Sequence, residues 1–191
     1  FKYSREKDEE AARILAKLSE EKRIPVDTVR SMISGSDVVI CGNGPNLEEE
    51  LVRTDRNMIF IAADGATSTL IRNGVRPQLI VTDLDGDMED IVESNRRGSV
   101  VVVHAHGDNI DKLRKYVPLL KNILCTTQSK PFDEVYNFGG FTDGDRCFFL
   151  AKELGASSIQ LIGFYFDDRS VGEVKRRKLE WARKLIAHGL R

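Results

Sequence analysis

Cysteine is scarce in this chain, and what there is does not form a set. Cys41, Cys125 and Cys147 are three in number, widely spaced and each placed among apolar residues. An odd, scattered trio excludes a disulfide framework and a cysteine zinc site, so the three read as buried free thiols of a reducing compartment. No apolar run reaches the ~18 residues needed to span a bilayer, and no secretory leader is visible. The expectation is a cytoplasmic protein with no membrane partner. Neither sign of charge is in excess: 29 Lys and Arg stand against 30 Asp and Glu, for a net charge of -1. That balance gives no global pull toward nucleic acid, so no nucleic-acid partner is expected. Repeats, low-complexity tracts and linkers are missing as well. The chain opens on Phe1, which implies an initiator Met upstream.

What is present is an ordinary globular chain of 191 residues, 41% apolar and 31% charged, enough for one domain with a single core. Ser4 to Lys22 predicts a helix, with Ser4 as its cap and Ala11, Ile14, Leu15 and Leu18 as its apolar stripe. Pro25 ends it, and a short helix follows from Val26 to Ile33. Beyond Gly35, β-branched runs at Asp37–Cys41, Met58–Ala63, Gln78–Val81, Ser99–Val103, Asn122–Cys125 and Ser158–Ile162 alternate with amphipathic segments. The last of these is a basic helix from Val174 to His188. Strands apolar on both faces, alternating with helices, predict an α/β fold: a Rossmann-like, mostly parallel sheet covered on both sides. Residues 1–35 read as an N-terminal helical extension and 36–191 as the α/β catalytic domain. In such sheets ligands bind beyond the carboxyl ends of the strands.

The unusual residues fall at those ends. Asp83, Asp85 and Asp87 occupy alternate positions directly after a strand. Continued extension would point all three the same way, a costly arrangement of like charges unless a cation sits among them. Hard cations such as Mg²⁺ take carboxylates together with substrate phosphates. A solvated acidic turn is the bland alternative. An EF-hand fails, because Met88 stands where the loop needs Gly and Ser94 where it needs Glu.

After another strand comes Gly42-Asn43-Gly44-Pro45-Asn46, a phosphate cradle in its physics or a plain Gly-rich turn. Leu47 replaces the third Gly of a dinucleotide fingerprint, and no P-loop is present. Asp64-Gly65 ends the next strand, with Asp64 either a helix cap or a holder of a ribose hydroxyl or a substrate ring donor. His104, His106, Asp108 and Asn109 follow a Val-rich strand. Zinc would want a further matched ligand, so the histidines are favoured as hydrogen-bonders to phosphate or substrate, with Asp108 facing the acidic cluster. Gly139, Gly140, Thr142 and Asp143 precede an apolar helix, which capping explains only in part. In the basic run Lys175 to Lys178, mostly a solvated face, Lys175 and Lys178 are candidates to meet a triphosphate.

Together, Phe1-Lys-Tyr-Ser, Gly42 to Asn46, Ala63-Asp-Gly65, Thr82 to Asp87, His104 to Asn109 and Gly139 to Asp145 resemble the archaeal 6-hydroxymethyl-7,8-dihydropterin pyrophosphokinases, over essentially the whole chain. That family is similar to the catalytic domain of thiamin pyrophosphokinases. The resemblance implies ATP as diphosphate donor, a pterin acceptor, Mg²⁺ as cofactor and AMP as by-product. It points to Asp83, Asp85 and Asp108 as catalytic, with Asp83, Asp85 and Asp87 holding metal. Gly42 to Asn46, His104, His106, Asn109, Lys175 and Lys178 would serve the nucleotide. Asp64, Gly65, Gly139, Gly140, Thr142 and Asp143 would serve nucleotide or pterin. The Asp-x-x-Asp of thiamin enzymes corresponds to Asp108 and Asp111. No β-rich segment follows Leu154, so thiamin is not the expected substrate, and the loop Asp167–Glu173 is shorter than the family leads one to expect. A homodimer through the terminal helices is a weak implication. The rival readings are a thiamin pyrophosphokinase-like enzyme, an Asp-x-Asp sugar-nucleotide glycosyltransferase and a non-catalytic nucleotide sensor. A redox Rossmann enzyme, lacking its glycine fingerprint, ranks below these.

Overall fold

The computed structural model describes residues 4–165 and 172–189, the side chains of 174, 175, 178, 179 and 188 excepted. Two helices lead, α1 (Arg5–Leu18) and α2 (Val26–Ile33). Strands and helices then alternate: β1 (Asp37–Cys41), α3 (Leu47–Val52), β2 (Ile59–Ala63), α4 (Ala66–Arg72), β3 (Leu79–Thr82), α5 (Met88–Arg96), β4 (Val100–Ala105) and α6 (Ile110–Tyr116). A 3-10 turn, Val117–Leu119, leads to β5 (Ile123–Thr127), β6 (Val135–Tyr136), α7 (Asp143–Glu153), β7 (Ser158–Ile162) and α8 (Glu173–Gly189).

The seven strands form one sheet in the order β6-β5-β4-β3-β2-β1-β7, every neighbouring pair parallel. The expected α/β sheet is therefore present and wholly parallel. Strand period sorts the core into two layers. Val39, Cys41, Phe60, Ala62, Ile80, Val101 and Val103 face one side, with Ala11, Ala12 and Leu15 of α1 and the apolar residues of α3 to α6. Val38, Ile40, Ile61, Leu79, Val81 and Val102 face the other, against α2, α7 and Ile186 of α8. The chain steps from β1 to β6 in one direction, with its crossover helices on one face, then returns across the sheet through α7 to place β7 beside β1. Right-handed crossovers running the opposite way put their helix on the opposite face. That reversal creates a crevice between the ends of β1 and β7.

β6, only two residues long, carried too little pattern to be seen in the sequence. β7 lies at the edge, and its burial alternates instead of being complete. The three cysteines are buried free thiols, and burial pushes Cys125 up to about 11. Among the described residues, no helix is long and apolar enough to cross a membrane.

One buried amide fixes the strand starts. Asn95 Nδ2 donates to Ser99 O at 2.8 Å and Lys121 O at 2.5 Å, while its Oδ1 accepts from Lys121 N at 2.8 Å. Asn95→Ala leaves three backbone groups short of partners in the interior. It should cost about 2–4 kcal/mol in urea unfolding, and a loss under about 1 kcal/mol would contradict this role.

Candidate active site

β3 stops at Thr82, and the alternation expected of Asp83, Asp85 and Asp87 stops with it. Leu84 takes a φ of +68° and buries its side chain, so the chain turns instead of extending. Leu84 N donates to Thr82 Oγ1 at 2.7 Å, and that hydroxyl donates to Asp64 Oδ1 at 2.5 Å. Asp64 also has a positive φ, +40°, which a short polar residue tolerates. Gly86 is what allows the turn to pass over it, because a Cβ there would stand 2.8 Å from the Asp64 carboxylate.

The turn separates the three expected carboxylates. Asp85 is 58% exposed and ion-paired with Lys112. Asp87 caps α5, accepting from Glu89 N and Asp90 N at 3.1 and 3.4 Å. In their place the fold gathers Asp83 with Asp64 and Asp143, from the ends of β2 and β3 and the start of α7. One carboxylate oxygen from each lies within 4.8 Å of the other two. Proximity in space, between residues 79 positions apart, replaces proximity in sequence.

Electrostatics show the strain of this gathering. Burial first, then the charges of Asp83 and Asp64, hold the Asp143 carboxyl well above its usual range, although Arg146 Nη1 lies 3.5 Å away. Asp64 is also raised, by burial against the relief of its Thr82 hydrogen bond. Burial works to raise Asp83 too, but His106, Arg146 and Lys112 outweigh it and the carboxyl ends lowered. Asp83 Oδ1 and Asp143 Oδ1 are both buried without a hydrogen-bond partner. Orphaned carboxylate oxygens in an oxygen-only set fit a hard divalent cation.

The end of β4 supplies the nitrogen side. Asp108 N donates to His106 Nδ1 at 3.3 Å, so the ring proton sits on Nε2, 3.5 Å from Asp83 Oδ2. His104 is buried, and its Nδ1 donates to Thr126 Oγ1 at 3.1 Å because that hydroxyl spends its own proton on Val103 O. His104 Nε2 is therefore an acceptor that makes no regular hydrogen bond, although the Gln128 side chain stands close enough to act on the ring. Burial, then the charge of Arg146, keep this imidazole neutral. Asn109 ties the loop down, donating to Asp83 O at 2.9 Å and His104 O at 2.8 Å. Asp108 itself is exposed, as is Asp111.

A cavity of about 270 Å³ opens at the β1/β7 crevice, lined by Gly42 to Pro45, Asp64, Gly65, Thr142, Asp143 and the Gly163-Phe164-Tyr165 turn. Sequence motifs far apart thus meet around one space. The glycines of the first motif serve the wall as much as any ligand. Gly42 N and Gly44 N donate to Ile162 O and Gly163 O at 2.8 and 2.7 Å, and a Cβ on Gly44 would stand 2.4 Å from Gly163 O. Asn46 Oδ1 is buried without a partner. Thr142 starts α7, with Asp145 accepting from Phe141 N and Thr142 N at 2.7 and 2.6 Å. Gly139 and Gly140 have φ of +89° and +94°, and Gly140 packs on the Arg146 backbone. A second, more open cavity of about 480 Å³ lies toward β5, lined by Arg5, Asp8, Gln128, Ser129, Lys130, Gly140 and Phe141. Lys175 and Lys178 belong to α8, but their side chains lie outside the described residues, as does most of the Asp167–Glu173 loop. Arg146, Lys112, Gly86 and Thr82 were not singled out from sequence. Thr82 and Gly86, inside the acidic motif, and Arg146, at the end of the Gly139-Gly140 motif, carried a signal; Lys112 carried none.

Fold and site describe an α/β protein with an acidic, oxygen-lined centre beside a topological switch point. Comparison with known proteins narrows this. The family model described as 6-hydroxymethylpterin diphosphokinase MptE-like matches residues 12–170. Curated 6-hydroxymethyl-7,8-dihydropterin pyrophosphokinases are similar throughout. The one from Methanothermobacter thermautotrophicus is 48% identical, covering 97% of this chain and 87% of the relative. Those from Methanocaldococcus jannaschii and Pyrococcus furiosus are 42% and 45% identical, covering 97% and 96% of this chain and 88% and 85% of theirs. The chain belongs to this diphosphokinase family. Its architecture is also similar to the MAf glycosyltransferase from Magnetospirillum magneticum AMB-1, with TM-score 0.50 and 16% identity over 73% of this chain and 24% of that one. At that identity the likeness shows the fold alone, and this chain spans about a quarter of that protein.

The raised carboxyls give a pH prediction. A group whose folded pKa is raised stabilises fully below its unfolded pKa of about 3.9, and that contribution is lost as pH rises through the folded value. Asp83, lowered, acts oppositely and loses its contribution on acidification. Metal-free Asp143→Asn should therefore melt a few degrees above the parent at pH 7, with the gap closing toward pH ~4. Magnesium should raise the melting temperature of the parent and not of the variant. Melting curves across pH with EDTA or Mg²⁺ check both, and a variant less stable than the parent at pH 7 would sink the repulsion argument.

Proposed function

We propose that this protein transfers the β,γ-diphosphate of ATP to the hydroxymethyl oxygen of 6-hydroxymethyl-7,8-dihydropterin, with Mg²⁺, giving the pterin diphosphate and AMP. The names of its relatives support the pterin acceptor. The observation that carries the chemistry is the Asp64, Asp83 and Asp143 cluster, with two orphaned oxygens, beside the switch-point cavity.

The acceptor oxygen bonds to the β-phosphorus as its hydroxyl proton passes to solvent, the bond from the β-phosphorus to the α–β bridging oxygen breaks, and AMP leaves with that oxygen. Such transfers depend on alignment and charge neutralisation more than on a strong base. When bound, Mg²⁺ supplies the positive charge that the phosphate oxygens need. Asp83, Asp64 and Asp143 are the residues that would hold it. Asp85 is a further carboxylate at the rim, paired with Lys112. Arg146, His106 and Lys112 surround the carboxylates with positive or proton-bearing groups. The cavity wall from Gly42 to Pro45, with Gly65 and Thr142, takes the nucleotide. The buried His104 Nε2 is an acceptor for a substrate N–H.

AMP formation from ATP, Mg²⁺ and the hydroxymethylpterin is the direct assay, run beside thiamin and beside UDP release from a sugar donor. Asp83→Asn should lower turnover on the order of 10²–10³-fold while costing only a few degrees of melting temperature, since the contacts of Asp83 with His106 and Arg146 are lost as its repulsion with Asp64 and Asp143 is relieved. Asp85→Asn, which leaves the buried cluster intact, should retain more activity than Asp83→Asn. Near-normal turnover in Asp83→Asn, joined to a large loss of stability, would overturn the assignment.

A further inference from the structure

We infer that Asp8, in the first helix, is a positioning residue for the acidic cluster: it fixes the His106-Gly107 turn, and through it the imidazole facing Asp83. The inference rests on the diphosphate-transfer reading above. It makes the leading helix part of the active site and not a mere support.

Asp8 is 6% exposed on a helix whose charged neighbours lie in water. A carboxylate is taken out of water only at a cost, unless both oxygens find donors. Asp8 finds two, at adjacent strand ends. Its Oδ1 accepts from Gly107 N and its Oδ2 from Gln128 Nε2, both at 2.8 Å. Gly107 follows β4 and Gln128 follows β5. The helix is already seated by Ala11, Ala12 and Leu15, all fully buried, so the carboxylate is not needed to dock it.

The approach at Gly107 is close. A Cβ there would meet Lys7 Cβ at 2.6 Å and the Lys7 carbonyl carbon at 3.3 Å, so helix and turn cannot shift independently. His106 is then held on every side. Its amide donates to Asn109 Oδ1 at 3.1 Å, its Nδ1 accepts from Asp108 N, and Gly107 beside it is held by Asp8. What remains is the Nε2–H, aimed at Asp83 Oδ2. The same turn carries Asn109, whose side chain holds the Asp83 carbonyl. Asp8 also shares the 480 Å³ cavity wall with Arg5 and Gln128, at the strand ends on the other side of the cluster from the β1/β7 crevice.

Asp8→Ala removes the anchor. Gly107→Ala keeps all charges and forces the helix and turn apart. Asp8→Asn keeps an oxygen for Gly107 N. Glu10→Ala, exposed on the same helix and away from both cavities, is the control. For Asp8→Ala and Gly107→Ala, kcat should fall on the order of 10–100-fold with the KM for ATP changed less than about threefold, and Mn²⁺ affinity, read by electron paramagnetic resonance without substrates, should weaken about tenfold. Asp8→Asn should recover most of both quantities, and Glu10→Ala should match the parent.

If the variants only melt at lower temperature while the folded protein keeps parental kcat and Mn²⁺ affinity, the helix is structural and the inference is overturned. If Asp8→Ala fails to fold, Gly107→Ala and Asp8→Asn decide by the same measurements. If the parent transfers nothing to the pterin, the functional reading fails, and Mn²⁺ affinity still judges Asp8.

Discussion

Crowding of negative charge is the constraint on which the rest of this structure depends. Three carboxylates from distant points of the chain are brought within 4.8 Å at the rim of a parallel sheet. Such a group is unstable alone, and its surroundings show how the protein manages it. Thr82 and Gly86 approach Asp64, while His106 and Asn109 hold Asp83. Arg146 stands beside Asp143. None of these contacts removes the repulsion: Asp143 remains displaced well above its usual range, and two oxygens stay without a hydrogen bond. A divalent cation is the one simple partner that answers both features.

The backbone makes the gathering possible. Two non-glycine residues with positive φ, Asp64 and Leu84, sit at successive strand ends, and Leu84 secures its turn by burying its side chain. Strain of this kind persists where surrounding packing over-determines it. On the far side, the β1 and β7 ends touch backbone to backbone at Gly42 and Gly163, with no room for a side chain at either. The crevice floor is therefore main chain, and its chemistry comes from the loops around it.

The sheet was legible because its strands are apolar on both faces, a pattern that only a doubly covered parallel sheet explains. Five of its central strands appear within a residue or two of where the β-branched runs place them. β6 was not legible, being two residues long and paired on one side. The candidate site was legible as a set of strand-end motifs, but which carboxylates the fold brings together was not. Period-two reasoning joined Asp83 to Asp85 and Asp87, and it failed at Leu84, where a turn unusual for a bulky side chain breaks the period. Asp143, 60 residues downstream, reaches the cluster through the chain's return across the sheet, which no local pattern records. Asp8 looked like one acid among several in a charged first turn, and only the packing of α1 over β4 and β5 sets it apart.

That packing bears on how the protein is made. The helix α1 leaves the ribosome well before β5, on which it finds its seat, and the buried contact between Ser19 and Cys125 spans 106 residues. At ordinary elongation rates of about 5–20 residues per second, the helix waits on the order of ten seconds for its partner strand. A nascent chain thus carries an amphipathic helix without a surface to cover until translation is well advanced. Its docking on β5 is a long-range closure of the kind that slows folding.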